Sequence, residues 1–406
     1  MTVNTMHPKS PHPIRTLVSI MAFLSTMGIS SVLPVLPSIA EHFSVALGAS
    51  GLIIAVFAVP GLILIPITGV LADRLGRKTV LMPSLLLFGL GGVGCFWAWD
   101  FQSLLWCRFI QGAGAASLGT LCSTITADTW EGSERSRMMG INGLMFGLGT
   151  AFSPALGGVL GMVGWNYPFL LSLLAFPLIW FGRSLSLSRP AVVTTLRSYF
   201  QSSWHYVKLP RTRVLLVLGF CTFIILSGPI VVCFPLFAKQ SFNATPLEIG
   251  VIMALASFMS GLMASQLTRL YGSFSPRSLL LTSQVFYCLS MLLMPFVSGV
   301  WWFVGPILLY GIGQGLNIPL MTTLMSGVAP ESQRGAIMAT NAMAHRFAQG
   351  LGPMFFSGFA SVLGPQNAIF IGALFAFFMM WLSFGASLPD RVHDTDDALN
   401  FGADSL

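Results

Sequence analysis

Long apolar runs alternate with short polar clusters along almost the whole chain. Twelve runs fall near residues 15–37, 47–71, 79–98, 101–126, 138–160, 165–187, 213–237, 247–270, 278–298, 300–327, 334–362 and 366–388. Each has the ~20 residues a helix needs to cross a hydrocarbon layer roughly 30 Å thick. Closed β-barrels also span lipid, but they are built from short alternating segments. The pattern therefore predicts an all-α membrane protein with twelve transmembrane helices. Residues 1–14 are polar and proline-rich, and the first run is too long for a cleavable signal core, so it is expected to stay as the first helix.

Composition agrees. Of 406 residues 54% are hydrophobic and 8% charged, whereas a soluble domain needs about a quarter charged residues to cover its surface. The net charge of +7 is spread over loops and not gathered in one patch, which argues against nucleic acid as a partner. Placing both termini in the cytoplasm puts Lys9, Arg15, Arg74, Arg77, Lys78, Arg135, Arg137, Arg183, Arg189, Arg197, Lys208, Arg211, Arg213, Arg269, Arg277, Arg334 and Arg391 inside and Lys239 outside. Such an asymmetry is expected of a multi-pass protein with an even number of spans, here in a bacterial plasma membrane. The six cysteines lie in or beside apolar runs without Cys-x-x-Cys spacing, so they read as packing residues, not as metal ligands or disulfides.

The polar stretch around 183–212 divides the spans six and six. The expected organisation is a cytoplasmic segment 1–14, a six-helix bundle 15–187, a cytoplasmic linker 188–212, a second bundle 213–388 and an acidic cytoplasmic tail 389–406. A shift of 199 positions lays Ser133, Arg135, Met139, Asn142 and Pro154 on Ser332, Arg334, Met338, Asn341 and Pro353. Gln111-Gly112 likewise matches Gln314-Gly315 one span earlier. The bundles therefore read as pseudo-symmetric repeats, which places a substrate cavity at mid-membrane between two halves that rock.

Four motifs carry a family resemblance. The loop between spans two and three reads Gly69-Val70-Leu71-Ala72-Asp73-Arg74-Leu75-Gly76-Arg77-Lys78. Its glycines are suited to close approach of helix ends, and Asp73 with the basic cluster to ion pairs there. This loop resembles the signature of the major facilitator superfamily. Span one holds Gly28-Ile29-Ser30-Ser31-Val32-Leu33-Pro34-Val35-Leu36-Pro37, similar to the signature of the twelve-span drug/proton antiporter group. In span four, Arg108-Phe109-Ile110-Gln111-Gly112 resembles the family's buried-arginine motif. In span five, Gly149 to Gly158 resembles the antiporter motif, with Ser153 where glycine usually precedes Pro154. The glycines are expected to permit tight packing and Pro154 to bend the helix. The resemblance implies export by alternating access. It also implies that Asp128 pairs with Arg74 or Arg77 as a latch for the outward-facing state; a role for Asp128 as proton carrier is the competing reading.

None of the thirteen acidic residues falls at mid-membrane, whereas Arg108, His345 and Arg346 lie well within spans. Intramembrane ionisable residues are functional candidates by default. Asn341, His345 and Gln349 recur every four residues beside Arg346, Gln111 is one turn from Arg108, and Gln314 and Asn317 are one turn apart. With Asn142, these form the candidate substrate-binding or proton-coupling set. Each has a plainer reading: Arg108 as a brace on backbone carbonyls, His345 as a core histidine, Arg346 as a snorkelling cation, and the amides as interhelical glue. The stripe Met253, Met259, Met263 reads as packing before it reads as a drug pocket. A positive cavity disfavours a purely cationic substrate and favours neutral or anionic amphiphiles. Histidine is the side-chain type that ordinarily titrates near neutral pH, so His345 leads as the proton-coupling candidate, although burial and neighbouring Arg346 oppose its protonation.

No Gly-x-x-x-x-Gly-Lys-[Ser/Thr] sequence, His-Glu-x-x-His sequence or central nucleophile–base pair occurs, so neither an ATPase nor an intramembrane enzyme is expected, and no metal or cofactor is implied. The expectation is a monomeric, proton-coupled exporter of small amphiphilic molecules of the multidrug-efflux type. The alternatives are a dedicated exporter or facilitator of one anionic metabolite, such as a siderophore or sugar derivative, and a transporter-like receptor or scaffold.

Overall fold

The structure, a computed structural model, describes residues 12–185, 209–328 and 334–385. Most of the expected linker, the acidic tail, the first eleven residues and Ser332 lie outside the described residues. Every described element is helical. Twelve helical segments coincide with the twelve expected spans: α1 (Pro13–His42), α2 (Gly51–Leu75), α3 (Arg77–Phe96), α4 (Phe101–Thr129), α5 (Gly132–Val163), α6 (Tyr167–Arg183), α7 (Pro210–Phe242), α8 (Pro246–Tyr271), α9 (Pro276–Phe296), α10 (Val300–Ser326), α11 (Arg334–Leu363) and α12 (Pro365–Gly385).

Among the described residues, nine of these are long and apolar enough to cross a bilayer, counting α2, which bends by 49° between Ile65 and Ile67. The other three are α4, α6 and α11. Length does not limit α4, with 29 residues, or α11, with 30; at 1.5 Å per residue each exceeds about 40 Å. Their apolarity is diluted by the polar residues they carry, Arg108 and Gln111 in one and Asn341, His345, Arg346 and Gln349 in the other.

Local chemistry explains the helix ends. Asp100 and Ser103 form a capping box at the start of α4, and the Ser103 hydrogen bonds hold the Asp100 carboxyl below its ordinary pKa. Thr245 and Glu248 form a capping box at the start of α8, with Pro246 in the first turn. Between α2 and α3 the chain turns at Gly76 with φ 95°, a conformation that favours glycine. Several helices change winding near proline; among them α1 tightens to a 3₁₀ turn at Leu33–Val35, and α7 widens to a π-helix over Leu226–Cys233 around Pro229.

Between helices in lipid there is little hydrophobic drive, so small residues that let backbones touch carry the packing. Gly112 of α4 lies against the Phe57 carbonyl of α2, and a Cβ there would overlap it. Gly315 of α10 lies in the same way against the Ser260 carbonyl of α8. These glycines are the pair aligned by the sequence repeat, and the two crossings are equivalent. The fold is thus two pseudo-symmetric bundles, α1–α6 and α7–α12.

The bundles meet along two equivalent seams, α2 on α11 and α5 on α8. One face of the molecule carries Arg15, Arg74, Arg77, Lys78, Arg135, Arg137, Arg183, Arg269 and Arg277 and is termed the basic face; Glu41, Asp100, Lys239 and Glu248 mark the far face. Toward the far face both seams are tight. A Cβ on Gly158 would lie 2.6 Å from the Pro246 carbonyl, one on Gly51 2.9 Å from that of Pro353, and Gly250 abuts the Pro154 carbonyl. Lys239 pairs with Glu41 across the halves at 3.5 Å. Toward the basic face the same stripe of α5 continues through Gly147, Gly143 and Gly140, and that of α8 through Gly261. All four are exposed with nothing within 4 Å of a built Cβ. The apolar cores record the same asymmetry: Leu17, Met21, Leu81, Leu121 and Ile125 of the first bundle form a separate cluster near the basic face. Val32, Leu36, Ile53 and Leu104, nearer the far face, merge with the core of the second bundle. The molecule is sealed at the far face and parts toward the basic face.

Valine at Gly112 or Gly315 should force the helix crossings apart, at a cost of about 1–3 kcal/mol each from overpacking. Both variants are expected to unfold at clearly lower temperature than the parent in detergent, read by intrinsic fluorescence. Gly261→Val should unfold close to the parent, and equal losses at all three positions would refute this packing assignment.

Candidate functional site

Where the two bundles face each other, the parting seam encloses a cavity of about 350 Å³, within the usual range for small-molecule sites. Its walls come from α1, α2, α4 and α5 on one side and α7, α8, α10 and α11 on the other. Two proline-interrupted helices contribute at or beside their irregular stretches: Ser30 and Leu33 from α1, and Leu226, Ser227, Ile230 and Val231 from α7. A π-helix displaces one backbone position per turn and is frequent at functional sites. Here it turns four residues of α7 toward the cavity.

Of the candidate residues, Gln314, Arg346, Gln349 and Pro154 line the cavity. Arg346 Nη1 donates to Gln349 Oε1 at 3.2 Å. The stem of Arg346 reaches α2, where a Cβ on Gly61 would lie 3.5 Å from its Cδ. No carboxylate lines this cavity among the described residues.

The helical stripe on α11 divides. Arg346 and Gln349 face the cavity, but His345 and Asn341 lean on α7. His345 stacks on Phe223, with ring centroids 4.2 Å apart, and its Nε2 lies 2.9 Å from a Cβ built on Gly219. Phe223 itself lines the cavity, so His345 stands one ring behind the wall. Asn142 and Asn317 are buried in their own bundles. Asn142 Nδ2 donates to Thr126 Oγ1 at 2.7 Å, and Asn317 links α10 to Thr222 of α7 and Ser283 of α9 at 3.0 and 3.1 Å.

Arg108 is fully buried and does not line the cavity. Its Nη1 donates to the Gly28 carbonyl at 2.9 Å and to Gln111 Oε1 at 2.8 Å, and its Nε to the Ile53 carbonyl at 3.3 Å. The guanidinium lies over the Phe57 ring, 4.4 Å from the centroid. It joins α1, α2 and α4 through carbonyls and a ring face, and the geometry is that of a brace.

At the basic face, Arg77 takes the central place in the loop signature. It pairs with Asp73 at 2.6 Å and Asp128 at 2.9 Å, its own side chain 7% exposed. Arg74 is exposed. All three members of the Arg77 cluster belong to the first bundle, so these bonds fasten the α2–α3 turn to the end of α4 and do not themselves cross to the second bundle. Gly69, expected at a close helix approach, has nothing within 4 Å of a built Cβ; the glycine that the turn demands is Gly76.

The antiporter-like motif of α5 serves two neighbours. Gly149 packs on Thr26 and Phe23 of α1, with a Cβ 2.8 Å from the Phe23 carbonyl, whereas Pro154 and Gly158 form the seam with α8. The helix runs unbroken through Pro154. The marked bend is in α2, next to a proline at 66 that has no N–H to give the helix. The sequence reading missed this bend, the π-helix of α7 and the cavity hydroxyls of Ser25, Thr26 and Thr150. The signals were Pro66 and Ser227-Gly228-Pro229 for the first two. Serine and threonine in spans are too common to mark the third.

Comparison with known proteins supports the same architecture. The chain is similar to the class B tetracycline resistance protein of Escherichia coli, 27% identical over 356 residues that cover 83% of this chain and 86% of the relative. It is also similar to the quinolone resistance protein NorA of Staphylococcus aureus, 23% identical over 376 residues, covering 91% and 92%. The crystal structure of a D-xylose-proton symporter superposes with a TM-score of 0.76 at 14% identity, over 94% of this chain and 99% of that one. The model of the Major Facilitator Superfamily matches residues 18–241 and 215–399, so that, with two equivalent bundles around a central cavity, this chain belongs to that superfamily of membrane transporters.

Proposed function

We propose that this protein is a secondary active transporter that exports small amphiphilic molecules from a bacterial cell in exchange for protons. The observation that carries the reading is the cavity between the bundles, sealed toward the far face by the Pro154–Gly250 and Gly158–Pro246 contacts and parting toward the basic face. If the basic face is cytoplasmic, as the positive-inside asymmetry supports, this is the geometry of an exporter ready to load from inside. The relatives named as tetracycline and quinolone resistance proteins support a drug-like substrate.

Alternating access then requires the far seams to open while the basic-face stripes of α5 and α8 close. Glycines at Gly140, Gly143, Gly147 and Gly261 leave room for that closure. Rocking as rigid bodies needs stiff bundles, and the Arg108 and Arg77 clusters stiffen the first one at its two ends. His345 is the proposed proton carrier. It stands behind Phe223 and beside Arg346, so a change in its charge is felt at the cavity wall without the imidazole touching substrate.

Inside-out vesicles containing the protein should accumulate several unrelated compounds from a mixed neutral, cationic and anionic panel. Collapse of the pH gradient should abolish that accumulation. Movement of one anionic compound alone would instead identify a dedicated exporter, and accumulation indifferent to the gradient would remove proton coupling.

His345→Ala is expected to bind substrate with little change but to lose the dependence of flux on the pH gradient. Full retention of that dependence would exclude His345 as the carrier.

Arg77→Ala leaves Asp73 and Asp128 facing each other without their cation. Loss of one partner from a buried pair costs about 3–5 kcal/mol, an upper bound for these partly exposed carboxylates. Thermal stability and flux should fall together, and Arg74→Ala should change neither by much. The reverse order of the two variants would contradict the brace assigned to Arg77.

A further inference from the structure

The two walls of the central cavity differ in their strongest polar groups: a set of accepting hydroxyls on the first bundle and a cationic donor on the second. On the wall of the first bundle, Ser25 Oγ donates to the Ala22 carbonyl at 2.8 Å, Thr26 Oγ1 to that of Phe23 at 3.0 Å, and Thr150 Oγ1 to that of Phe146 at 2.8 Å. A hydroxyl whose proton is committed to its own helix has only lone pairs left for the cavity. These three hydroxyls accept hydrogen bonds from the cavity and do not give them.

The wall of the second bundle holds similar acceptors, Ser227 and Ser257, whose hydroxyls donate to the Phe223 and Met253 carbonyls, but it adds strong donors. Arg346 carries five N–H groups, of which the bond to Gln349 Oε1 takes one. The carboxamides of Gln314 and Gln349 add further N–H groups. No acidic side chain lines the cavity to balance the guanidinium, and an unbalanced charge at this depth is unfavourable. An anion in the cavity would supply the missing partner through charge-assisted bonds. Between the two walls the lining is apolar, with Ile29, Phe146 and Met253.

We infer that the cavity selects an amphiphile with an anionic oxygen group at one end, bound by Arg346, and a hydroxyl or N–H donor at the other, received by Ser25, Thr26 and Thr150. The inference rests on the exporter reading above and names the substrate class of that same site. A compound lacking either end fills the apolar middle but satisfies one wall alone.

Three fluorescent probes on one ring skeleton separate the two ends. 6-Hydroxy-2-naphthoate has both groups, 6-hydroxy-2-naphthamide lacks the anion, and 6-methoxy-2-naphthoate lacks the donor. Equilibrium binding to the purified full chain in nanodiscs should be about ten- to a hundredfold tighter for the hydroxy acid than for the amide, the range expected for a hydrogen bond to a charged group. The methoxy acid should bind several-fold more weakly than the hydroxy acid. Arg346→Gln should erase the difference between acid and amide, Arg346→Lys should keep part of it, and Thr26→Val should shrink the difference between hydroxy and methoxy acids. An amide that binds as tightly as the acid, discrimination that survives Arg346→Gln in a protein with parental unfolding temperature, or no binding of any probe would each overturn the inference. Gradient-driven flux of the mixed panel reports separately on the exporter reading. Flux that persists while these probes fail leaves the transporter and removes the substrate class.

Discussion

A polar group inside a hydrocarbon layer has no water to turn to, so leaving one without a partner is costly, and the protein itself must supply most of the partners. The packing follows from that condition. Gly112 and Gly315 let helices approach until carbonyl meets backbone, and hydroxyls such as those of Ser25 and Thr150 fold back onto their own helices. Arg108 shows how the condition is met for a charge, although its Nη2 is buried without a hydrogen-bond partner. A fully buried guanidinium with no carboxylate beside it is placed on two carbonyls, one carboxamide and an aromatic face. Three helices are held by one side chain, and the first bundle is stiff where it meets the second.

Stiff bundles joined by narrow seams can move only as bodies. The far-face contacts are backbone against glycine or proline, short and without long side chains to stretch, so they close or part as units. The ion pair that accompanies them, Lys239 with Glu41, is partly exposed, and pairs of that kind contribute about 1 kcal/mol or less. The seal is therefore mostly steric, and the ion pair trims it. At the basic face the stripe of Gly140, Gly143 and Gly147 is exposed with nothing near it, which in the proposed cycle leaves room for the opposing helix to approach.

Much of this was legible in the residues. Long apolar runs marked the helices, nine of which among the described residues are long and apolar enough to cross a bilayer, and the repeated Gln-Gly pair, Gln111-Gly112 and Gln314-Gly315, marked the equivalent crossings. The candidate site was legible in part. Periodicity placed Asn341, His345 and Gln349 on one stripe of α11, but a stripe spans enough of the helix surface to touch two neighbours. Which member faces a cavity and which a helix depends on α7, whose π-helix no periodicity shows. The charge of Arg108 marked it as important without saying for what, since a brace and a ligand site both call for an arginine. Gly69 and Gly76 sit in one motif, yet only the backbone turn tells which of them needs to be glycine.

The position of Arg346 joins binding to movement. A ligand shifts the balance between two conformations only by the difference in its affinity for them, and reversing a 99:1 ratio takes about 5.5 kcal/mol. A group confined to one bundle would meet the ligand equally in both states and supply none of that difference. Arg346 is not confined in this way: its head is at the cavity and its stem lies against Gly61 of the other bundle, within the α2–α11 seam that must change when the bundles rock. A ligand that draws the guanidinium inward alters the packing of that seam, while donor groups reaching Ser25, Thr26 and Thr150 tie the same molecule to the first bundle. A substrate that bridges both walls thus interacts differently with the parted and the closed arrangement, which is the requirement for transport and not merely for binding.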